Sequence, residues 1–344
     1  MKNHGLPYPN GWFAVAFTSE LPPSKVLSRR IMGEDIVVYR TKSGQVRVAG
    51  AYCPHLGAHL GCGGFVRDEN LFCPFHHFGF AIDGTCTSTP YGKAPPKAQL
   101  TVYPHQEVNG AIFVWRHADE LDPTWKIPDL TDESYPEPIR RINHLSAYPQ
   151  DICENLVDIG HFPTLHGYQE AELRSISFDN EILRTEIFGQ RHFPIVGHSD
   201  FHFNNQAYGV GFQFSRAYIP LIHTDVEAFF MPTPTGPRDM DLRVSVSLRL
   251  PGGSKPHRRV VGSIIRKLSR ILTQQLAPSM WQDLVDDFPI WNNKLYLDRP
   301  RIAAGDGPIP RYRRWAQQFY SVSEIADHNS GQYDAGHDGA SYIT

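Results

Sequence analysis

Cys53-Pro54-His55 and, after seventeen intervening residues, Cys73-Pro74-Phe75-His76 decide how the rest of this chain is read. Each segment carries one Cys and one His, at C-x-H and C-x2-H spacing, so two neighbouring loops can present four ligands. Four thiolates would point to zinc or an ordinary iron–sulfur cluster, and a zinc finger keeps its Cys pair and its His pair apart. One Cys and one His per loop instead suit a two-iron, two-sulfide cluster, with the cysteines on one iron and the histidines on the other. Pro54 and Pro74 after each Cys, with Gly57, Gly61 and Gly79 close behind, suit tight loops whose backbone N–H groups aim at sulfur. Such donors, together with imidazole in place of two thiolates, raise a reduction potential. A zinc site is the competing reading.

Length and composition set the outer bounds. A chain of 344 residues calls for two domains. A hydrophobic content of 41% and a formal net charge of −3 describe a globular protein able to bury a sizeable core, with nothing that favours nucleic acid. Of five cysteines, two belong to the motif, leaving Cys62, Cys86 and Cys153 as free thiols. That odd remainder fits a reducing, cytoplasmic setting better than a disulfide scaffold. Residues 1–12 contain no apolar run resembling a signal peptide, and no stretch reaches the ~18 apolar residues of a membrane span.

Short β signals open the chain: 11–17, 35–40 and, after the turn at Thr41-Lys42-Ser43-Gly44, 46–49. Residues 78–82 leave the second cluster loop, 88–96 form a Pro/Gly-rich third loop over the cluster, and 100–103 and 111–115 complete a small antiparallel β domain over 8–118. The charged, Pro-rich stretch that follows reads as a linker or crossover, 119–145. The second domain, 146–322, begins with a short helix over 149–161. Strands are expected over 178–188, 209–219, 226–231 and 242–250. In the last, Leu242, Val244, Val246, Leu248 and Leu250 alternate with Arg243, Ser245, Ser247 and Arg249, the pattern of a half-buried strand. Apolar residues at helical spacing mark a helix over 260–277, with Arg266, Lys267 and Arg270 on its polar face. A second helix is expected over 279–298, kinked at Pro289. Residues 323–344 form a polar, Gly-rich tail. The fold class is α+β.

A second constellation lies in Asn155-Leu156-Val157-Asp158-Ile159-Gly160-His161-Phe162-Pro163-Thr164-Leu165-His166. Asn155, Asp158 and His161 are three apart and share one helical face. Pro163 disfavours helix at Phe162, so the helix should end near His161 and let the chain bring His166 back beside it. Two His and a carboxylate with open positions are the ligand set of non-haem Fe(II) oxygenases. Core or surface histidines would be the ordinary alternative. Asp283, Asp286 and Asp287 are candidates for a carboxylate from further along.

Together the two motifs resemble those of the oxygenase component of Rieske non-haem iron oxygenases. The family's C-x-H-x(15–17)-C-x2-H and D-x2-H-x4-H patterns are both met, and the likeness runs from about Trp12 to Tyr296. The wording Cys53-Pro54-His55-Leu56-Gly57-Ala58-His59-Leu60, Asn155-Leu156-Val157-Asp158 and Asp287-Phe288-Pro289-Ile290-Trp291-Asn292-Asn293-Lys294 is most similar to the 3-ketosteroid 9α-hydroxylase and cholesterol 7-desaturase group. The resemblance implies an N-terminal antiparallel β Rieske domain and a helix-grip catalytic domain with a long antiparallel sheet. It implies a [2Fe-2S] cluster on Cys53, His55, Cys73 and His76, and a mononuclear Fe(II) on His161, His166 and Asp287, with Asp287 selected by a D-x2-I-W pattern. Asn155 and Asp158 are the catalytic candidates, Asp158 bridging its own His161 and a neighbour's His76 in a head-to-tail homotrimer. One departure is His77, where the family usually has glycine.

No G-x-G-x-x-G opens a helix, so electrons must come from a partner, a ferredoxin or flavin-dependent reductase. O2 and a hydrophobic small molecule, polycyclic or steroid-like, are the expected substrates, to be hydroxylated or desaturated. Phe201, Phe203, Phe212, Phe214, Phe229 and Phe230 are candidates for an apolar cavity, some of them ordinary core. The basic stretch 258–270 is read first as a solvated face, ahead of a membrane-surface or reductase contact. Aromatic O-demethylation or oxidative cyclisation of a natural product is the alternative within the family. A respiratory Rieske subunit is disfavoured because Ala58 stands where such subunits carry an additional Cys.

Overall fold

The computed structural model describes residues 5–193, 197–251 and 259–321. The first ten strands build the N-terminal domain. They are β1 (Gly11–Phe17), β2 (Val26–Ile31), β3 (Glu34–Arg40), β4 (Val46–Gly50), β5 (Phe65–Arg67), β6 (Asn70–Phe72), β7 (Gly79–Phe80), β8 (Cys86–Ser88), β9 (His105–Val108) and β10 (Ala111–Arg116). They form three small antiparallel sheets, β1-β10-β9, β2-β3-β4 and β5-β6-β7-β8. The strand β2 had no clear signal because Ser28, Arg29 and Arg30 interrupt its apolar pattern. The strand expected over 100–103 makes only one isolated bridge, Ala49 with Val102. Pro104 has no N–H to continue that ladder.

The second domain follows as β11 (Ile139–Ser146), α1 (Pro149–Glu154), α2 (His161–Leu165), β12 (Tyr168–Asp179), β13 (Ile182–Phe193), β14 (Gly197–Tyr208), β15 (Phe212–Ile219), β16 (Thr224–Pro234), β17 (Asp239–Arg249), α3 (Arg259–Asn293) and α4 (Ile309–Ala316). Its seven strands form one antiparallel sheet in the order β11-β17-β16-β15-β14-β13-β12, with α3 packed along it. The edge strand β11 takes in residues read from sequence as crossover, 139–145. The single strand expected over 178–188 is a hairpin: Asn180, at φ +48, turns β12 into β13. Asparagine tolerates that left-handed conformation, and its turn signal is weak beside the apolar residues around it.

The two helices expected over 260–277 and 279–298 are one helix, which passes both Pro278 and Pro289 and ends at Asn293. Leu272, Leu276, Met280, Trp281, Leu284, Phe288 and Trp291 pack on the sheet along its length. That packing outweighs the backbone bonds the prolines remove. Near its start the apolar pattern divides: Leu272 and Leu276 face the core, whereas Ile264, Leu268 and Ile271 are exposed beside Arg266, Lys267 and Arg270. The expected tail over 323–344 lies outside the described residues. Among the described residues no helix is long and apolar enough to cross a membrane.

The strand β17 is not half-buried. Its polar face is covered too, with Arg243 only 2% exposed and Ser245 and Ser247 buried. The cover comes from the N-terminal domain and the crossover. In β1 the pairing with β10 skips from Ala14 to Ala16, which makes Val15 the extra residue of a bulge. Side chains take up the displaced carbonyls. Thr233 Oγ1 and Arg243 Nη1 both donate to Ala14 O, at 2.6 and 2.9 Å, and Arg29 Nε donates to Val15 O at 2.8 Å. Ser247 Oγ donates to Pro136 O at 2.8 Å. An apolar core shared by the domains, including Trp12, Phe113, Trp115, Phe212, Phe214, Phe229 and Met231, completes the junction.

The junction leaves no room at Gly211. A Cβ there would sit 2.2 Å from Trp12 O and 2.7 Å from the Phe13 ring. Gly211→Ala is expected to destabilise the protein by about 1–3 kcal/mol, the usual penalty of overpacking. A denaturant titration should show a lower midpoint at an unchanged slope.

Candidate functional site

The two cluster loops repeat one backbone pattern. Cys53 N donates to Ala58 O and Gly57 N to Cys53 O, both at 2.9 Å; Cys73 N donates to Phe78 O at 2.9 Å and His77 N to Cys73 O at 3.0 Å. The fourth residue after each Cys turns left-handed, Gly57 at φ +73 and His77 at φ +51. Glycine adopts that conformation freely, whereas a side chain is strained there, so His77 stands at a position that favours glycine. Its exposed ring meets Phe65 edge-on at 5.4 Å.

Cys53 and Cys73 are buried and adjoin one another. Burial foremost pushes the Cys53 thiol up to about 11; the backbone N–H groups of His55 and Leu56, aimed at the sulfur, pull it down. The His55 and His76 rings lie 4.8 Å apart, and His55 stacks on Phe78 at 4.2 Å. From the third loop, Tyr91 packs its ring against Phe78 at 5.9 Å. Two adjoining sulfurs, two adjoining imidazoles and N–H groups directed at sulfur fit a [2Fe-2S] cluster of mixed ligation.

The second constellation is built differently from its expected helix. The helix α1 ends at Glu154, Asn155 is its C-cap, and Val157 and Asp158 turn back with their N–H groups on Glu154 O at 3.0 Å. A separate helix, α2, then starts at His161. Pro163 falls in its first turn, where the missing N–H costs nothing, so the proline helps to begin a helix instead of ending one. That one turn brings the His161 and His166 rings to 5.1 Å. Asp287, on α3, completes the group: one donor atom from each of the three residues lies within 4.8 Å of the others.

Electrostatics agree with a cation at this point. Burial, above all, pushes Asp287 up to about 7, opposed by His161 and by a hydrogen bond from the Asn155 side chain. Burial, reinforced by His161, pushes His166 down to about 4. Its imidazole is therefore neutral at pH 7 and has a lone pair to offer, and a bound cation would hold the Asp287 carboxylate in its charged form. The two-His, one-carboxylate donor set fits Fe(II). His166, Asp283 and Asp286 also come within 4.8 Å. There, however, Asp283 is committed to Arg191 through two bonds of 2.9 Å, and Asp286 accepts from Gln282 Nε2 at 2.9 Å. Asp158 Oδ1 stands 3.7 Å from His161 Nδ1, an ion-pair distance beyond hydrogen-bond reach.

A cavity of about 240 Å³ opens beside these residues. Of the six candidate phenylalanines, Phe201, Phe203 and Phe230 line it, while Phe212, Phe214 and Phe229 belong to the core between the domains. Sequence reasoning missed Phe162, Tyr168, Gln213, Met280 and Trp291, which also line the cavity. Their spacing carried no signal of its own, although the alternation of β14 and β15 would have separated the inward residues.

Residues 11–104 match the Rieske [2Fe-2S] domain, and residues 114–320 match the 3-ketosteroid 9alpha-hydroxylase C-terminal domain. The chain is a Rieske-type oxygenase, with a [2Fe-2S] cluster and non-haem iron as its cofactors. Within that class it belongs to the family defined by the 3-ketosteroid 9alpha-hydroxylase C-terminal domain. It is 31% identical to the cholesterol 7-desaturase nvd of Xenopus laevis over 340 residues, which covers 91% of this chain and 72% of that one. It is 24% identical to a probable 3-ketosteroid-9-alpha-monooxygenase, oxygenase component, of Rhodococcus rhodochrous, covering 91% and 80%. The crystal structure of dicamba monooxygenase bound to 3,6 dichlorosalicylic acid superposes with a TM-score of 0.70 at 19% identity, covering 95% and 98%. At that identity the likeness is one of fold.

Removing the carboxylate tests the ligand set directly. Asp287→Ala is expected to lose most of the mononuclear iron while the visible absorption of the cluster survives. Asp286→Ala should keep both. Iron loss that followed Asp286 would move the ligand by one residue.

Proposed function

We propose that the chain is a terminal oxygenase component that hydroxylates or desaturates a C–H bond of a steroid-like molecule, using O2. The observation that carries this reading is the apolar cavity, which adjoins the buried group His161, His166 and Asp287. The relatives named for cholesterol and 3-ketosteroids support the substrate class. The relatives named above lend demethylation of an aromatic ether no support, and it is not favoured. The four cluster ligands are assigned to Cys53, His55, Cys73 and His76. Without a nucleotide fingerprint in the sequence, a ferredoxin or flavin-dependent reductase is the assigned electron donor. Cytoplasmic placement fits the free thiols.

When bound, the iron supplies O2 activation at its open positions, and the cluster supplies electrons one at a time. The chain's own residues prepare that chemistry. Asn155 hydrogen-bonds Asp287 and favours its ionised form. Phe162 packs its ring against both His161 and His166, 4.8 and 6.0 Å from theirs, and shields that side of them from water. Phe201 and Phe203 stack 6.0 Å apart along the cavity wall, where they exclude water and receive an apolar ring system.

The cluster loops sit on a core drawn from residues 26–100, and α3 on a core drawn from 145–291. With separate cores, transfer across a subunit boundary in a homotrimer is the arrangement we favour. Asp158, partly exposed and 3.7 Å from His161, is then placed to reach His76 of a neighbouring copy.

The substrate class is tested by product analysis, with the reduced, iron-loaded protein incubated with sterols, 3-ketosteroids and aromatic ethers. Oxidised steroid is the expected product, and turnover of the ethers alone would overturn the reading.

Asp158→Asn should keep the fold, the cluster and most of the mononuclear iron. Turnover should nevertheless fall by about 10- to 100-fold, the usual effect of losing a group behind a ligand. Mixed oligomers of Cys73→Ser and His161→Ala chains should recover activity that neither has alone. Near wild-type turnover by Asp158→Asn, or no recovery in oligomers shown to be mixed, would rule out the bridge.

A further inference from the structure

His161 and His166 each keep an unpartnered ring nitrogen at the cavity wall, but both belong to the candidate metal group. Outside that group, Gln213 is the exception among the polar side chains around the cavity. It lies on β15, where residues 213, 215, 217 and 219 share a face by the two-residue period of a strand. Ala217 and Ile219 line the cavity, and so does Gln213. The neighbouring polar groups satisfy one another. Ser215 Oγ donates to Asn205 Oδ1 at 2.6 Å, and Asn205 Nδ2 donates to Thr185 Oγ1 at 3.2 Å. Asp283 is held by Arg191, and Asn155 is spent on Asp287. Gln213, only 2% exposed, has an Nε2 without a hydrogen-bond partner among the described residues.

A buried amide donor left unpaired destabilises the empty protein, and most native structures avoid one. The remaining wall around Gln213 is apolar, with Phe203, Ala217 and Phe230 among its lining. The terminal amide swings broadly about its last torsion, so it can turn its N–H toward the cavity space. A cavity of this kind selects a mostly apolar molecule with one oxygen in a fixed place, because the amide is satisfied only when that oxygen arrives.

We infer that Gln213 is the polar anchor of the cavity: its side-chain amide hydrogen-bonds a hydroxyl or ketone oxygen that the substrate already carries. This rests on the steroid reading given above. It adds that one residue, Gln213, reads the oxygen such a steroid carries and sets its position along the cavity. Gln213 is not a member of the group His161, His166 and Asp287 and acts by positioning the substrate.

The test is equilibrium binding to the iron-loaded enzyme without O2, with cholesterol and with cholest-5-ene, which lacks only the hydroxyl. Wild type should bind cholesterol about tenfold to a hundredfold more tightly than cholest-5-ene. Gln213→Leu, of similar volume, should lose most of that preference by weakening cholesterol and leaving cholest-5-ene unchanged or improved. Its melting temperature should be equal to or above that of wild type, because the unpaired donor is gone. A residue of purely structural role would instead lower the melting temperature and weaken both ligands alike. Equal affinity of wild type for the two ligands, or equal losses in the variant, overturns the anchor and leaves the steroid reading standing. Binding of neither ligand by wild type overturns both.

Discussion

The buried carboxylate of Glu154 joins three parts of the catalytic domain that lie far apart in the sequence. Arg313 of α4 donates to both of its oxygens, at 2.7 and 3.0 Å, and Lys294, just past the end of α3, lies 3.6 Å away. Lys294 also pairs with Asp151 at 2.8 Å, and Tyr312 Oη donates to Gln150 O at 2.8 Å. The backbone oxygen of Glu154 itself receives the turn that leads to Asp158. One residue thereby ends α1, starts the ligand loop and ties it to the helix that carries Asp287. Burying such a network is expensive unless every charge finds a partner, and here each carboxylate meets a cation. The return is geometric: two histidines and a distant aspartate are brought to a common point.

Legibility from sequence followed the distance over which each interaction acts. The cluster motif and the pair His161 and His166 are local, and both were readable. The strands of the N-terminal domain were readable where alternation was clean, as in β3, and unreadable in β2, where two arginines run together. Asp287 could be separated from Asp283 and Asp286 only by resemblance. What distinguishes the three is the phase of a helix whose continuity two prolines conceal, together with the Arg191 side chain that occupies Asp283. The burial of Arg243 was unreadable for a similar reason. Its cover is a bulge in β1, in the other domain, and no pattern within β17 foretells it.

The repeated backbone of the cluster loops gives His77 a meaning that spacing alone could not. Position four after each Cys is left-handed, and the first loop fills it with glycine. A histidine at the second keeps the loop geometry at a conformational cost and adds a ring at the surface beside Phe65. Close by, Tyr52, Leu56, Phe75 and Tyr91 are all exposed. The rim of the cluster is thus apolar and aromatic.

Neighbouring residues in the central strands serve opposite masters. On β16, Phe229 faces the N-terminal domain and Phe230 faces the cavity; on β15, Phe212 and Phe214 face the domain, and Gln213 and Ala217 the cavity. Two inheritances are therefore interleaved along the same strands at a period of two. Substitutions at the inward positions can retune what the cavity accepts without disturbing the joint that holds the domains together. A lineage built on this sheet can diversify its chemistry while its architecture stays constant.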